Sequence, residues 1–276
     1  MVIQTVETVS TREATERLVK IFDSTYVKAR LKQVADNATQ MNAYERTQLP
    51  RLLEGVEDLF YSTIGDWDTE PVDMELNPDY KLFNCKYYPV NRIINDNFSK
   101  YPKLLLKIVV LTLVQQSHYG TPVLIIPRKE GTVRFIMDYH RLNHKLVIKP
   151  YPLTIIGEKI YHLEGFRNLT ALYLNMGYYN IRLLPASQDI TKIITEFGKF
   201  KYNHLPMGMC ASEDIFQDKL VEMHADIEGV KTYIGDILVL IKERFSKHIE
   251  ALRIIFGRFQ ISGLTLNASN FSFRLK

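Results

Sequence analysis

One acidic side chain between two apolar runs is the first candidate for chemistry in this sequence. The stretch from 232 to 240 reads Thr-Tyr-Ile-Gly-Asp-Ile-Leu-Val-Leu, so Gly235-Asp236 separates two runs rich in β-branched residues. This pattern predicts a β-hairpin, because glycine adopts the positive φ that a tight turn requires. Asp236 is then expected near the tip, where a carboxylate either forms the turn or binds a metal ion.

Other reactive side chains do not form the patterns of common enzyme sites. The sequence has neither a Gly-x-Ser-x-Gly element nor a Gly-x-x-x-x-Gly-Lys phosphate loop. His140 and His144 are four residues apart without a glutamate between them, so a zinc site is not predicted. Cys85 and Cys210 form no metal-spaced pair and no disulfide framework, and the apolar turn around Cys210 indicates packing rather than a nucleophile.

The charge is distributed unevenly along the chain. Residues 1–79 hold 8 Lys/Arg and 15 Asp/Glu, a net of −7, whereas residues 80–276 hold 27 and 16, a net of +11. Within the basic part, residues 118–151 interleave six cations with aromatic residues, a pattern that suits phosphates and stacked bases. A polyanion partner is therefore predicted. The charge distribution by itself is explained equally well by a basic surface that contacts only solvent.

The composition indicates a globular protein of one or two domains. Hydrophobic residues make up 46% and charged residues 24% of the 276 residues. The apolar stretches at 108–114 and 237–241 are far shorter than the ~20 residues of a membrane span, and the N-terminus shows no signal-peptide pattern. A soluble, intracellular protein without a membrane partner is expected.

The spacing of apolar residues predicts a mixture of helices and strands around the hairpin. Between 54 and 79 there are nine acidic residues and no basic one, which favours a linker or an edge strand. The expected fold class is α+β with an antiparallel sheet. Helices are predicted at 44–60, 93–111, 152–165, 209–224 and 245–262. Strands are predicted at 119–138 (a basic hairpin turning at Arg128-Lys-Glu-Gly131), 169–174, 181–184, 193–204 (turning at Gly198-Lys199) and 264–266.

Several short motifs follow one another in a distinctive order. Residues 121–134 read Thr-Pro-Val-Leu-Ile-Ile-Pro-Arg-Lys-Glu-Gly-Thr-Val-Arg, and 138–143 read Asp-Tyr-His-Arg-Leu-Asn. Leu-Tyr-Leu-Asn-Met-Gly-Tyr follows at 172–178, Leu-Pro-Met-Gly at 205–208, and Tyr-Ile-Gly-Asp at 233–236. In this order they resemble the reverse transcriptase domain of gypsy-type LTR retrotransposon polyproteins, over residues from about 40 to 276.

The resemblance implies a right-hand fold of fingers and palm, with an antiparallel palm sheet. It also implies a two-metal mechanism with Mg²⁺, and an RNA or DNA template-primer and dNTP as partners. The family holds its metals with three aspartates, one on the Leu-Asp-Leu strand and two on the Tyr-x-Asp-Asp hairpin. Here Tyr173 and Gly235 occupy two of those positions, so only Asp236 remains. The backbone carbonyl of Leu174 matches a further metal ligand.

Two further positions, like Tyr173 and Gly235, depart from the residues that the family has there. Asn270 replaces a lysine thought to protonate pyrophosphate, and an amide is no general acid at neutral pH. Glu213 occupies a position usually held by Pro or Gly. Each lost carboxylate–metal contact is worth about several kcal/mol, and Asp189, Glu196 and Asp214 are not spaced to replace the missing ligands. A domain without polymerase activity is therefore expected.

Positions that contact the nucleotide in the family are largely kept. The resemblance implies basic residues that grip the triphosphate, an aromatic residue beside the sugar 2′-position, and two groups near the template and incoming nucleotide. In this order they are Arg128 or Lys129 with Arg134, then Tyr178, then Gly208 and Gln217.

The resemblance divides the chain into four parts. Residues 1–38 form a helical extension, 39–92 an acidic lead-in of helix and linker, 93–165 the fingers-like part and 166–276 the palm-like part. Because the sequence stops at Lys276, a truncated copy that lacks the thumb is expected. Three alternatives stay open: a non-catalytic nucleic-acid-binding module, a retroelement remnant without a role, and an active polymerase.

Overall fold

Two β-sheets flanked by helices form the described part of the structure. This computed structural model describes residues 41–60, 64–81, 83–89, 106, 110–117, 119–127, 133–147, 149, 165–233, 235–267 and 272–275. The helices are α1 Ala43–Glu54, α2 His140–Asn143, α3 Pro185–Ile190, α4 Cys210–His224 and α5 Phe245–Ile261, with 3-10 helices at Glu57–Phe60 and Gly177–Asn180. The strands are β1 Leu111–Val114, β2 Thr121–Pro127, β3 Val133–Met137, β4 Asn168–Tyr173, β5 Ile193–Thr195, β6 Gly198–Tyr202, β7 Val230–Tyr233, β8 Asp236–Ile241 and β9 Ser272–Leu275.

The palm sheet is four-stranded and antiparallel, in the order β7-β8-β4-β9. One of its faces is covered by helices, because Gln217 of α4 bonds Thr232 and His248 of α5 bonds Thr170. Residues on that face are almost fully buried, Leu172 among them. Since side chains alternate between faces, Tyr173 lies on the opposite, more exposed face. The expected antiparallel palm sheet is confirmed.

The second sheet has five strands in the order β1-β6-β5-β2-β3. β2 and β3 form the hairpin predicted at 119–138, whose turn lies outside the described residues. The predicted turn at Gly198-Lys199 is wrong, because the β5–β6 turn falls at Glu196-Phe197. The Thr195 hydroxyl accepts from the Phe197 amide and donates to the Gly198 carbonyl, so the chain reverses before Gly198.

Helix α1 begins with a complete capping box. The Asn42 side chain accepts from the Glu45 amide, and the Glu45 carboxylate accepts from the Asn42 amide, which satisfies two donors that a helix start leaves free. Pro50 lies inside the helix, where its missing N–H removes one backbone bond. Packing against α5 offsets this cost, because Leu49 and Leu53 are fully buried. The helix predicted at 44–60 is therefore present in two parts, α1 to Glu54 and the 3-10 helix at Glu57–Phe60.

Residues 64–77, called the strap below, are neither a linker nor an edge strand. Their backbone amides bond to three separate parts of the molecule: Asp66 donates to the Gly263 carbonyl, Val72 to that of Arg182, and Asn77 to that of Lys145. The apolar residues of the strap stand among acidic residues and do not recur at the spacing of a strand or helix. Two of them, Trp67 and Met74, are buried. The strap therefore joins the end of α5 to the segments around α3 and α2.

Other predictions have mixed outcomes. The strand predicted at 264–266 is wrong, because Leu266 makes a single bridge to Leu174 and the fourth palm strand is β9. Residues 181–184 likewise make only isolated bridges, since the strap and the segment after β6 flank them. The helix predicted at 1–38, and most of those predicted at 93–111 and 152–165, lie outside the described residues. Among the helices described, none is both long and apolar enough to cross a membrane.

Candidate active site

Asp236 lies at the centre of a row of three residues on the exposed face of the palm sheet. It pairs with Tyr173 on β4 and with Tyr233 on β7, each in direct register. Paired residues of antiparallel strands point to the same face, so both tyrosines flank the carboxylate. Gly235 precedes it with a φ of +93°, which completes the predicted hairpin turn.

The surroundings of Asp236 do not fit a two-metal site. Its side chain is exposed, and it makes no side-chain hydrogen bond or ion pair within the described part of the chain. Protein around the carboxylate displaces part of its water, which raises the pKa of Asp236 above its ordinary value. Among the described residues, no group of three His, Cys, Asp or Glu could hold a metal ion. With Tyr173 and Gly235 as neighbours, the donor set is one carboxylate, whereas a pair of Mg²⁺ ions requires several.

Phe216 fills the space beneath the hairpin tip, a role that the sequence analysis missed. Its ring stacks on Tyr178 with centroids 4.6 Å apart, and Trp67 of the strap packs on it edge-on at 6.4 Å. A Cβ at Gly177 would lie 2.5 Å from Cζ of Phe216, so only glycine fits there. The helical spacing of 209–224 placed Phe216 inward but did not show what it touches.

Trp67, Phe216 and Tyr178 form an aromatic cluster, and Tyr178 lies at its edge. Burial, and then the negative charge of Glu213, raise the pKa of its phenol well above the ordinary value. The loop before Tyr178 is held by Asn180, whose amide donates to the carbonyls of Asn175, Met176 and Gly177. These bonds keep Met176 in the left-handed region at a φ of 49°. Leu174, whose backbone carbonyl is the predicted metal ligand, directly precedes this loop and forms an isolated β-bridge with Leu266.

Asn143 links two of the sequence motifs. Its amide nitrogen donates to the Gly208 carbonyl at 3.0 Å, and its amide oxygen accepts from the Cys210 amide at 3.0 Å. Gly208 has a φ of +91°, which only glycine adopts easily. The Asp-Tyr-His-Arg-Leu-Asn motif therefore fixes the Leu-Pro-Met-Gly turn at the start of α4. The joint occurrence of the two motifs was the sequence signal for this contact.

Gln217 lies in the interior rather than at the surface. It is 1% exposed, and its amide nitrogen donates to both the carbonyl and the hydroxyl of Thr232 at 3.0 Å. These bonds attach α4 to β7. A contact of Gln217 with template or nucleotide stays a prediction, and in this conformation the amide serves the packing of the palm.

The other predicted site residues are not brought together here. Arg128, Lys129 and Asn270 lie outside the described residues. Arg134 lies on β3 opposite Ile126, and its contact with a triphosphate stays a prediction. Three carboxylates were considered as replacements for the missing metal ligands. The first, Asp189 on α3, forms an ion pair with Lys192 in the loop after that helix. Glu196 lies at the β5–β6 turn and Asp214 on α4.

Curated proteins of retrotransposons are similar to this chain in sequence. The retrovirus-related Pol polyprotein from transposon 412 of Drosophila melanogaster is 24% identical over 266 residues, which cover 86% of this chain and 21% of that protein. The transposon Tf2-3 polyprotein of Schizosaccharomyces pombe is 27% identical over 245 residues, covering 84% and 18%. The chain therefore spans about a fifth of the length of these relatives. No protein-family model matches the chain.

Solved structures of a foamy viral protease-reverse transcriptase share the fold. The one in complex with an RNA/DNA hybrid has a TM-score of 0.78 and 19% identity, over 99% of this chain and 34% of that chain. A complex with double-stranded DNA has a TM-score of 0.75 and 19% identity, over 99% of this chain and 46% of that chain. The resemblance to retrotransposon polyproteins is confirmed: the chain is similar to them in sequence and has a reverse-transcriptase-like fold, while its assignment to the gypsy type stays a prediction.

Proposed function

We propose that this chain is the fingers and palm of a gypsy-type LTR retrotransposon reverse transcriptase that binds template-primer nucleic acid without polymerising DNA. Sequence similarity to the transposon 412 and Tf2-3 polyproteins supports the descent. The foamy viral enzymes with this fold were solved with double-stranded DNA or RNA/DNA hybrid. The excess of 11 positive charges in residues 80–276 suits the same kind of ligand.

The single observation that carries the loss of catalysis is the pairing of Tyr173 with Asp236. A phenol replaces a carboxylate at the point where β4 and β8 meet, and Gly235 removes a second carboxylate from the adjoining turn. Mg²⁺ would supply charge for activating a 3′-hydroxyl and stabilising pyrophosphate, and one carboxylate cannot hold two such ions against their hydration. The residues left at the site can bind and orient nucleic acid, with Tyr178 and Arg134 proposed as nucleotide contacts.

Primer extension tests the catalytic half of the proposal. The chain is compared with the triple variant Tyr173→Asp, Gly235→Asp, Asn270→Lys on an RNA template with Mg²⁺ or Mn²⁺. We expect no incorporation by the unchanged chain, because two metal ligands are missing. Incorporation above background by the unchanged chain would refute the proposal. A triple variant that folds and is also inactive would assign the defect to features other than the carboxylates.

Filter binding tests the other half and distinguishes the remaining alternatives. Binding of a template-primer duplex should fall steeply between 50 and 200 mM salt, as it does for any protein that displaces counterions from about six or more phosphates. No retention at low salt, from a chain that melts cooperatively, would contradict nucleic-acid binding. A chain without a cooperative melt would instead be an unstable remnant.

A further inference from the structure

Helix α5 carries an apolar stripe on the side that faces away from the palm sheet. Ile254, Gly257 and Ile261 follow one another at spacings of three and four residues, so they lie on one face of the helix. His248, which bonds Thr170 of the palm sheet, lies on the opposite side of α5. Ile254 is 44% exposed and Ile261 84%. Single exposed apolar residues are common on protein surfaces, whereas an aligned set indicates a contact face.

Gly257, in the middle of the stripe, is not required by the packing of a single chain. A Cβ added there would have no described atom within 4 Å, and its φ is not positive. At Gly177, by contrast, an added Cβ would lie 2.5 Å from Phe216. A glycine inside a helix costs about 1 kcal/mol relative to alanine, and nothing within the described fold offsets that cost. Its missing side chain leaves a notch between two exposed isoleucines, which a side chain of another helix can fill.

The stripe is complementary to a second copy of itself. Glu250, Ile254, Gly257 and Ile261 are spaced by four, three and four residues, as in a coiled-coil seam. In an antiparallel pair of α5 helices, Ile254 of each copy lies opposite Gly257 of the other and enters its notch. Ile261 then lies opposite Glu250, whose carboxylate is turned to Lys247 by an ion pair of 2.9 Å. A parallel pair would place the two glycines opposite each other and leave the notch empty.

Charges beside the stripe favour the same antiparallel arrangement. Arg253 is exposed on one flank of the stripe, and Gln260 lies on the same flank two turns later. The Gln260 amide donates to both carboxylate oxygens of Asp58, at 2.8 and 3.0 Å, and so holds a negative charge beside the end of α5. A two-fold axis perpendicular to the helices brings equal flanks together. Arg253 of each copy then lies within about 3 Å, along the helix axis, of the Gln260–Asp58 pair of the other.

We propose that the α5 stripe is the interface of an antiparallel homodimer of this chain. Each contact occurs twice about the two-fold axis, so Ile254 fills the notch at Gly257 and Arg253 meets Asp58 in both directions. A helix pair of this length buries less than about 1,200 Å² in total, the range of weak and transient complexes. The stripe lies behind the palm sheet, on the side away from the hairpin of Asp236. The dimer therefore does not depend on the proposed nucleic-acid binding.

Sedimentation equilibrium of the purified chain, without nucleic acid, tests the dimer. The mass should rise from 32.2 kDa at low concentration towards twice that value. A dissociation constant on the order of tens of micromolar is expected for an interface of this size. A constant 32.2 kDa up to several hundred micromolar would overturn the proposal and assign the stripe to a different partner. A mass that continues to rise beyond two copies would also overturn it, because a two-fold contact is closed.

Gly257→Arg separates association from folding. The arginine fills the notch and places a charge opposite Ile254, so the dissociation constant should rise at least about tenfold. The monomer should be no less stable, since no described atom lies within 4 Å of an added Cβ and arginine favours a helix more than glycine does. Ile254→Glu should weaken the dimer similarly. Leu113→Glu, at a leucine that is 56% exposed on β1, is the matched control and should leave the dissociation constant within about twofold.

An exchange of charges tests the antiparallel arrangement. Arg253→Glu and Asp58→Arg should each raise the dissociation constant severalfold, because like charges then meet across the two-fold axis. The double variant restores opposite charges and should return to within about twofold of the unchanged chain. An additive loss in the double variant, or a Gly257→Arg chain that still dimerises as tightly, would overturn the proposal. Only variants whose circular dichroism melts lie within a few degrees of the unchanged chain, or above it, are compared.

Discussion

A Cβ added at Gly235 would lie 3.3 Å from Cε1 of Phe216, on a backbone whose φ is +93°. Both features penalise a side chain at this turn, since L-residues rarely adopt that φ and Phe216 is held by Tyr178. We expect Gly235→Asp to lower the free energy of unfolding by about 1–2 kcal/mol. Urea titration followed by circular dichroism measures it.

Gly257 provides the matched control for that substitution. It lies inside α5 with nothing within 4 Å of an added Cβ, and its φ is not positive. Gly257→Ala should therefore raise the free energy of unfolding by about 0.5–1 kcal/mol. If Gly235→Asp were instead as stabilising as Gly257→Ala, the tip of the hairpin would have a different conformation from the one described.

The buried amide of Gln217 should be important for stability. Gln217→Ala leaves the hydroxyl and carbonyl of Thr232 without that donor, and leaves a cavity between α4 and β7. A loss of about 1–3 kcal/mol is expected in urea titration. Gln260→Ala removes an exposed amide bonded to Asp58 and should cost about 0.5 kcal/mol or less. Equal costs for the two variants would contradict the interior placement of Gln217.

Acid should destabilise the palm through His248. Burial against Thr170 lowers the pKa of His248 to about 4, from 6.5 in the unfolded chain. Because the unfolded state takes up the proton at a higher pH than the folded state, His248 does not reduce the free energy of unfolding above pH 6.5. It reduces that free energy progressively as the pH falls from 6.5 towards 4. The difference in pKa is worth roughly 3 kcal/mol over that window. Urea titrations at pH 7.5, 6, 5 and 4 measure the slope.

His248→Gln isolates this contribution, because glutamine can bond Thr170 without titrating. The variant should show a shallower fall in the free energy of unfolding between pH 6.5 and 4. His144→Gln changes an exposed histidine and controls for the substitution of histidine by glutamine itself. An unchanged profile in His248→Gln would assign the acid sensitivity to other groups, such as the buried His224, whose pKa is also lowered by burial.

Trp67 ties the strap to the aromatic cluster. It is 4% exposed, donates its backbone amide to the Asn180 carbonyl and packs edge-on against Phe216. Trp67→Ala should lower the free energy of unfolding by about 3–5 kcal/mol, whereas Trp67→Phe should retain much of it. A loss under about 1 kcal/mol in Trp67→Ala, measured by circular dichroism, would show that the strap contributes little.

Periodicity in the sequence was sufficient for the long elements. α4, α5, β4 and the hairpin around Asp236 lie where the apolar spacing predicts them, because each buries one regular stripe or face. The strap could not be predicted in this way. Its backbone bonds to Arg182 and Gly263 depend on the arrangement of remote segments, and the nine acidic residues between 54 and 79 indicated a solvated linker.

The candidate site was likewise predictable from the sequence only in part. Motif order predicted that Asp236, Tyr173 and Gly235 belong to one site, and the register of β4 with β8 places the first two side by side. The place of Phe216 beneath Gly235 depends on how α4 packs, which a single helical stripe does not encode. The row with Tyr233 required the register of β7, since a one-residue slip would send that ring to the opposite face.

The strap also has a consequence for how the protein folds during synthesis. Asp66 bonds to Gly263, and Gly65 and Gly263 pass so closely that neither position has room for a Cβ. The strap therefore cannot complete its backbone contacts until α5 has left the ribosome, although its own residues emerge early. Until the segment around Asn180 and then Phe216 have been made, Trp67 lacks the partners that bury it, so we expect slow translation of the palm to favour chaperone binding and aggregation of the nascent chain.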